Sequence, residues 1–437
     1  MDACAGRCVY SDAVRAVVWH YVDPVSYRRL VVAGLRSVRA ALDNPAFRNQ
    51  FEAARDEARR ARFAEVLDVL ILKARAADPW FAFQAADWLA VTLEKNRAIL
   101  GLPDGAIVSE FLFGAMDDLD PYTRFVTPAM RRMEDEQTMY AGIGVAVAER
   151  DGRFLVVRVF DGGAAECAGL AAGDEILAVD GENVRGLPLK DLVGRLRGKA
   201  GTRVVLCIRP DTEDIGRNIT IVRRMIYVPP VQGTQMIDPE RGIAYVRLVR
   251  FADGMERDLR RDLRGLADQG ARALVLDLRD NPGGTLLAAL EVAGVFLPRG
   301  CVARTRGRAL GASWTYDVPL FARRVWHGPV AVLVNENTAS ASEIVASALA
   351  SRGGAILVGR PTFGKGAVQV RLPLDWGKSG VSVTIARVYD PDDRALEGRG
   401  VQPHVRVARA DEPADRIVDD PVVCAAVEAL AARADTP

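Results

Sequence analysis

Residues 330–370 read VAVLVNENTASASEIVASALASRGGAILVGRPTFGKGAVQV. The apolar run Val330 to Val334 halts at the polar Asn335–Glu336–Asn337, the pattern of a buried strand closing in a turn. A helical pattern begins near Ser340 and stops at Gly353–Gly354, the usual glycine stop. A second apolar strand, Ala355 to Val358, follows, and a loop carries Pro361–Thr362–Phe363–Gly364–Lys365–Gly366. One serine therefore stands at a helix entrance and one lysine in a glycine-flanked loop one strand later, an arrangement that suits a Ser–Lys dyad.

That chemistry makes strict demands. A serine hydroxyl needs a base to take its proton, and a helix N-terminus adds a favourable dipole. A lysine with the reference pKa near 10.4 is neutral at pH 7 in only about one copy in a few thousand. Lowering that value by roughly 3 units through desolvation costs on the order of 4 kcal/mol. Phe363, Ala367 and Val368 flank Lys365, and no acidic residue lies between Arg360 and Gln369, so an apolar setting is expected. Ser340 and Glu343 equally satisfy S-x-x-E, the capping box, so Ser340 has a second reading as a helix cap and Lys365 as a surface lysine.

Working back from the dyad, Ala273 to Gly284 (ALVLDLRDNPGG) reads as a buried strand, a polar turn, and the entry of a helix over about Thr285 to Phe296. Its glycines let backbone N–H groups approach a substrate carbonyl, as an oxyanion hole requires, or simply open a helix. The three histidines, His20, His327 and His404, lie in no apolar strand-end motif, so a Ser-His-Asp triad is poorly supported. The six cysteines show no metal-ligand spacing, and Cys4 and Cys8 fall in a short, polar-looking terminus. No metal or cofactor is expected.

The 437 residues suffice for two to four domains. Lys+Arg 58 against Asp+Glu 57 gives a net charge of +1, which offers no electrostatic argument for a nucleic-acid partner. No stretch approaches the roughly 18 to 20 apolar residues of a membrane span, and no signal peptide is visible. The compartment is then cytoplasmic if the chain is complete, or an export segment lies outside it.

Four regions are expected in an α/β multidomain chain. Residues 1–138 read as helical, with stretches at Ala13 to Tyr21, Val25 to Leu42, Phe47 to Ala77 and Trp80 to Leu100. Residues 139–226 form a β-module. Residues 227–409 alternate strands and helices, the signature of a mainly parallel sheet. Residues 410–437 end in a short helix.

The motifs NTASASEI and GRPTFGKGAVQ, 25 residues from Ser340 to Lys365, resemble the active-site signature of the C-terminal processing (tail-specific) serine peptidases. The resemblance spans about Ala115 to Val407 and implies a crotonase-like core. Ser340 would be the nucleophile, Lys365 the general base and Gln369 the residue orienting it. LRDNPGG implies oxyanion donors at Gly283 or Gly284 together with Ala341. Residues 139–226, with AGLAAGDEILAVDG, resemble a PDZ domain, implying that Gly142, Ile143, Gly144 and Val145 hold the carboxylate of a peptide added as a strand. The implied partners are proteins or peptides with free C-termini, with oligomerisation left open, and the family's usual compartment is the periplasm or cell envelope.

Two departures stand out: Thr123 replaces the usual serine in LDPYT, and His404 stands where aspartate is usual. The PDZ insertion is expected to deliver tails to Ser340 and to gate the site on hinges near 140–142 and 227–230. Arg197 is either a ligand sensor there or a solvated helix-end charge. Competing readings are a catalytically silent PDZ adaptor and a thioester enzyme on the same fold.

Overall fold

A computed structural model of the chain describes residues 3–77, 79, 81–131, 141–160, 163–211, 215–225, 229–374, 379–408 and 416–434. The chain divides into two compact units, residues 1–128 with 230–437 and residues 129–229.

The larger unit is built on a six-stranded sheet. Its order is Val231–Asp238, Ile243–Leu248, Ala273–Asp277, Val330–Val334, Ile356–Gly359 and Val405–Arg406. The first pair is antiparallel and every later pair is parallel. Both faces are covered, which is why its strands read as unbroken apolar runs. Val332 and Val334 point into a core with the helices Met255–Asp268, Leu286–Phe296 and Ala341–Gly353. Ala331 and Leu333 alternate to the other face, under the helix Pro421–Ala434 and its Val422, Val423, Ala426 and Leu430. Truncating a side chain such as Leu333, fully buried between these layers, costs about 2–5 kcal/mol.

A second sheet, antiparallel throughout, was not foreseen. Its longest strand, Gly380–Tyr389, pairs with Ala367–Pro373, with Cys301–Arg306 and with Arg124–Val126 from the N-terminal region. Val381 and Val383 of this sheet, with Leu374 just past its strand Ala367–Pro373, share one apolar cluster with Tyr10, Leu35, Phe63, Leu89 and Phe111 of the N-terminal helices. The helical region thus packs directly on the sheet that carries the lysine loop's outgoing strand.

The N-terminal helices differ in detail from the sequence expectation. The first runs Ala3–His20 and buries Val9, Tyr10 and Ala13, so Cys4 and Cys8 lie on a packed helix and not in a loose terminus. The stretch from Phe47 to Ala77 is three pieces, Pro45–Gln50, a 3-10 turn Glu52–Arg55 and Glu57–Ala76. Asp56 breaks it: its side chain accepts the N–H of Arg59 as an N-cap, which favours a new start over continuation. Among the described residues no helix is long and apolar enough to cross a membrane.

The smaller unit is a β-module. Its sheet runs Val145–Arg150, Arg153–Val159, Glu175–Val179, Arg203–Arg209, Arg217–Val222, with the helix Leu189–Leu196 closing its core through Leu192 and Leu196. Val145–Arg150 is an edge strand.

Candidate active site

Ser340 sits where the strand Val330–Val334 turns into the helix Ala341–Gly353, with φ 57 and ψ −117. Backbone of that kind costs a non-glycine residue of order 1–3 kcal/mol and persists only when its surroundings dictate it. Here they do. The carbonyl of Asn281 accepts from Ala339 N–H (3.0 Å) and from the Ser342 hydroxyl (3.0 Å), bracketing the serine on both sides. Thr338 donates its hydroxyl to the Leu278 carbonyl (2.8 Å) and accepts from Asn335 N–H (3.0 Å).

Only half of the expected capping box exists: the Glu343 carboxylate accepts Ser340 N–H at 2.8 Å, while the serine hydroxyl makes no capping bond. Ser340 lines a cleft.

Glu343 does far more than cap. It is fully buried, and its two oxygens accept from Ser340 N–H (2.8 Å), Lys365 N–H (2.9 Å), Gly364 N–H (2.7 Å) and the Thr362 hydroxyl. One carboxylate thereby fastens the backbone of the candidate nucleophile to that of the candidate base. Phe363 N–H adds a bond to the Thr338 carbonyl at 3.0 Å.

The apolar setting expected for Lys365 needs correction. Phe363 points outward and is 59 % exposed. The aromatic ring over Lys365 is that of Tyr122, its centroid 5.4 Å from Nζ. The Tyr122 hydroxyl bonds the Glu397 carboxyl, whose Oε2 accepts Gly366 N–H at 2.9 Å. The Tyr122 phenol is pushed up to about 12, chiefly by burial and then by the charge and hydrogen bond of Glu397, so it remains a donor at neutral pH. Burial likewise raises Glu397, against the lowering effect of its bonds from Gly366 and Tyr122. Local sequence missed these acidic groups because they arrive from far along the chain.

The glycine turn faces Ser340 from the neighbouring strand. Gly283 has φ 101, and its N–H is already donated to Asn281 Oδ1 at 2.9 Å. This removes Gly283 from the expected oxyanion donors. The N–H groups of Gly284 and Ala341 have no acceptor among the described residues; for Ala341 this follows from its place in the first helical turn. The turn is held from behind by Asp277, which is fully buried and accepts from Tyr245 Oη (2.8 Å), Arg279 N–H (2.9 Å) and the Arg279 guanidinium. Arg279 also bridges to Asp420 before the last helix at 2.7 Å.

Ser340, Lys365, Gln369, Gly284 and Ala341 line one cleft of about 340 Å³. Leu286, Ile344, Val368 and Val388 give the rest of its wall apolar side chains, and Thr305 and Tyr316 add hydroxyl-bearing ones. Gln369 donates Nε2–H to Thr384 Oγ1 at 3.4 Å. His404 lies elsewhere: its Nδ1 accepts Leu357 N–H at 2.9 Å and its own N–H returns to the Leu357 carbonyl at 2.8 Å, fixing the sheet edge.

In the smaller unit, Gly142 pairs with Arg224, and the Ile143 side chain is buried in the core. The Ile143 carbonyl accepts Ala165 N–H (2.7 Å) and the Gly144 carbonyl accepts Phe160 N–H (2.9 Å). Their own N–H groups have no carbonyl acceptor among the described residues, and Gly144 adopts φ 86 just before the edge strand opens at Val145. Arg197 is the exposed C-cap residue of Leu189–Leu196. Of the expected hinges, Tyr140 and Tyr227 lie outside the described residues.

Sequence reasoning missed Asp120, Tyr122, Asn281, Thr384 and Glu397. Only the LDPYT run and the NPGG turn carried a signal, and neither said what its side chains would touch.

The comparisons with known proteins agree in kind. The model of peptidase family S41 matches residues 242–407 and that of the PDZ domain residues 132–209. A carboxyl-terminal-processing protease of Picosynechococcus is 36% identical over 291 residues, 65% of this chain and 69% of that protein. One of Synechocystis is 32% identical over 343 residues, covering 77% and 76%. Among solved structures, the photosystem II D1 C-terminal processing protease aligns over 96% of this chain and 97% of its own with TM-score 0.52 and 25% identity.

Proposed function

Because this chain belongs to peptidase family S41 as a C-terminal processing serine peptidase with a PDZ domain, we propose that it cleaves by a Ser340–Lys365 dyad and selects substrates by their C-terminal tails. The observation that carries the dyad is the strained elbow: Ser340 is held at φ 57, makes no side-chain capping bond, and lines the same cleft as Lys365.

The shared cleft supports the following reaction. Neutral Lys365 takes the Ser340 proton as Oγ attacks the scissile carbonyl. The negative oxygen that develops is met by the N–H groups of Gly284 and Ala341, preset by the glycine turn and the helix start. The ammonium so formed on Lys365 returns its proton to the departing amine. Water then enters, Lys365 again accepts a proton, and the ester on Ser340 is hydrolysed. Gln369 orients the lysine. Leu286, Ile344, Val368 and Val388 in the cleft suit an apolar side chain ahead of the cut.

For the tail, the exposed edge of Val145–Arg150 accepts an added strand, and the N–H groups of Ile143 and Gly144 suit its terminal carboxylate. Insertion of the module in the chain between residues 128 and 230 keeps a captured tail at high effective concentration. We assign it a gating role on the same ground of connectivity.

The test is turnover of an unfolded protein ending in apolar residues. Ser340→Ala and Lys365→Ala should each abolish cleavage, and Gln369→Ala should reduce it. Amidating the substrate's C-terminus should slow the parent enzyme. Full activity in Lys365→Ala refutes the dyad; equal rates on free and amidated tails refute tail selection.

A further inference from the structure

We propose that Asp120 and Thr384 are positioning residues that fix which way the Gln369 amide faces, making the Asp120–Thr123 turn of the N-terminal region a working part of the catalytic centre. The proposal rests on the reading of Gln369 as the residue that orients Lys365.

The bonds run in one direction. A carboxylate only accepts, so the Thr384 hydroxyl, 3.2 Å from Asp120 Oδ1, spends its single proton there. What Thr384 then offers Gln369, its cross-strand partner, is a lone pair, and the amide must present its NH2 end to it. The carbonyl end of Gln369 is thereby left for the cleft that it lines with Lys365. An acceptor facing an amine orients that amine's N–H bonds and steadies the ammonium formed when Ser340 is deprotonated; a reversed amide would set donor against donor.

The middle of the relay is buried. Thr384 is 3 % exposed and Thr123 1 %. Asp120 Oδ1 also accepts Tyr122 N–H (2.7 Å) and Thr123 N–H (2.8 Å), and its Oδ2 accepts the Thr123 hydroxyl (2.8 Å). The Thr123 oxygen in turn accepts Thr384 N–H at 3.1 Å. Networks of this kind hold their direction when water is excluded. They also account for threonine at 123: only its hydroxyl is used, so serine and threonine serve alike.

The full-length enzyme is assayed with an unfolded substrate at several concentrations. Thr384→Val removes the hydroxyl and keeps the shape. Asp120→Ala removes the acceptor that takes the Thr384 proton, leaving that hydroxyl free to donate to Gln369. Each should lower kcat about 10-fold, near the value of one hydrogen bond, with KM within about two-fold. Thr384→Ser should restore kcat to within about two-fold of the parent. In a Gln369→Ala background, Thr384→Val should cost nothing further, because its effect passes through the missing amide. If that background is too slow to measure, the Val and Ser variants at 384 decide alone. Unchanged kcat in Thr384→Val, no recovery in Thr384→Ser, or equal losses with and without Gln369 overturns the proposal. An active Ser340→Ala would instead refute the dyad, so the two failures are distinguishable.

Discussion

Replacing Glu343 by glutamine probes the joint between the candidate nucleophile and the candidate base. The carboxylate accepts four bonds on two oxygens, two at Oε2 from Ser340 and Lys365 N–H, and two at Oε1 from Gly364 N–H and the Thr362 hydroxyl. A glutamine has one such oxygen. Whichever way it lies, its NH2 faces two former donors in a fully buried site. Two bonds to a charged acceptor contribute about 1.5–3 kcal/mol each, so the variant should lose about 3–6 kcal/mol of stability. A residue that merely caps a helix would cost about 1 kcal/mol. The elbow and the lysine loop should also drift apart, and a misplacement of about 1 Å lowers turnover on the order of 100-fold. Urea unfolding followed by circular dichroism, in a Ser340→Ala background to prevent self-cleavage, reads the first effect; kcat reads the second. A loss near 1 kcal/mol with kcat within about two-fold would refute the view that Glu343 joins the two halves of the site.

Two more outcomes follow from named contacts. Gly283→Ala forces a side chain into φ 101, with a Cβ 2.9 Å from Ser340 Cβ and 2.8 Å from the Ala339 carbonyl; it should cost about 1–3 kcal/mol in strain and lower kcat more than it raises KM, checked by steady-state kinetics. Glu397, whose carboxyl is held above the 4.5 of a free glutamate mainly by burial, binds its proton more tightly folded than unfolded. Its contribution to stability is therefore greatest at low pH and is lost as pH rises from about 4.5 through the folded value. Glu397→Gln should flatten that part of the curve of urea midpoint against pH; an unchanged slope would show that Glu397 is not the group responsible.

What could be read from sequence, and what could not, divides by distance along the chain. The strand Val330–Val334, the helix stop at Gly354 and the entry at Thr285 each rest on residues within one turn of each other, and each stands in the structure as expected. Ser340 and Lys365 could be singled out because their motifs are compact, and both line one cleft. The second sheet was invisible because Arg124–Val126 carries no pattern that names Gly380–Tyr389 as its partner. The setting of Lys365 was misjudged for the same reason: Glu397 reaches Gly366 across 31 residues, and Tyr122 comes from the N-terminal region. Gly283 failed as a donor through one side chain, Asn281 Oδ1, whose rotamer no motif specifies.

The antiparallel sheet that draws residues 124–126 and 380–389 together also sets a timetable. Residues 129–229 are continuous in the chain and can fold as soon as they are made, whereas the larger unit must close across them. Asp120 waits 264 residues for Thr384. At 5–20 residues per second of synthesis that is roughly 10–50 s. Throughout that interval the N-terminal helices lack the cover of Val381 and Val383, and the strand leaving the lysine loop, once made, still waits for Gly380–Tyr389 to pair with it. A nascent chain therefore holds a finished PDZ module well before its larger unit can close. The enzyme is born unable to cut until almost its last strand emerges.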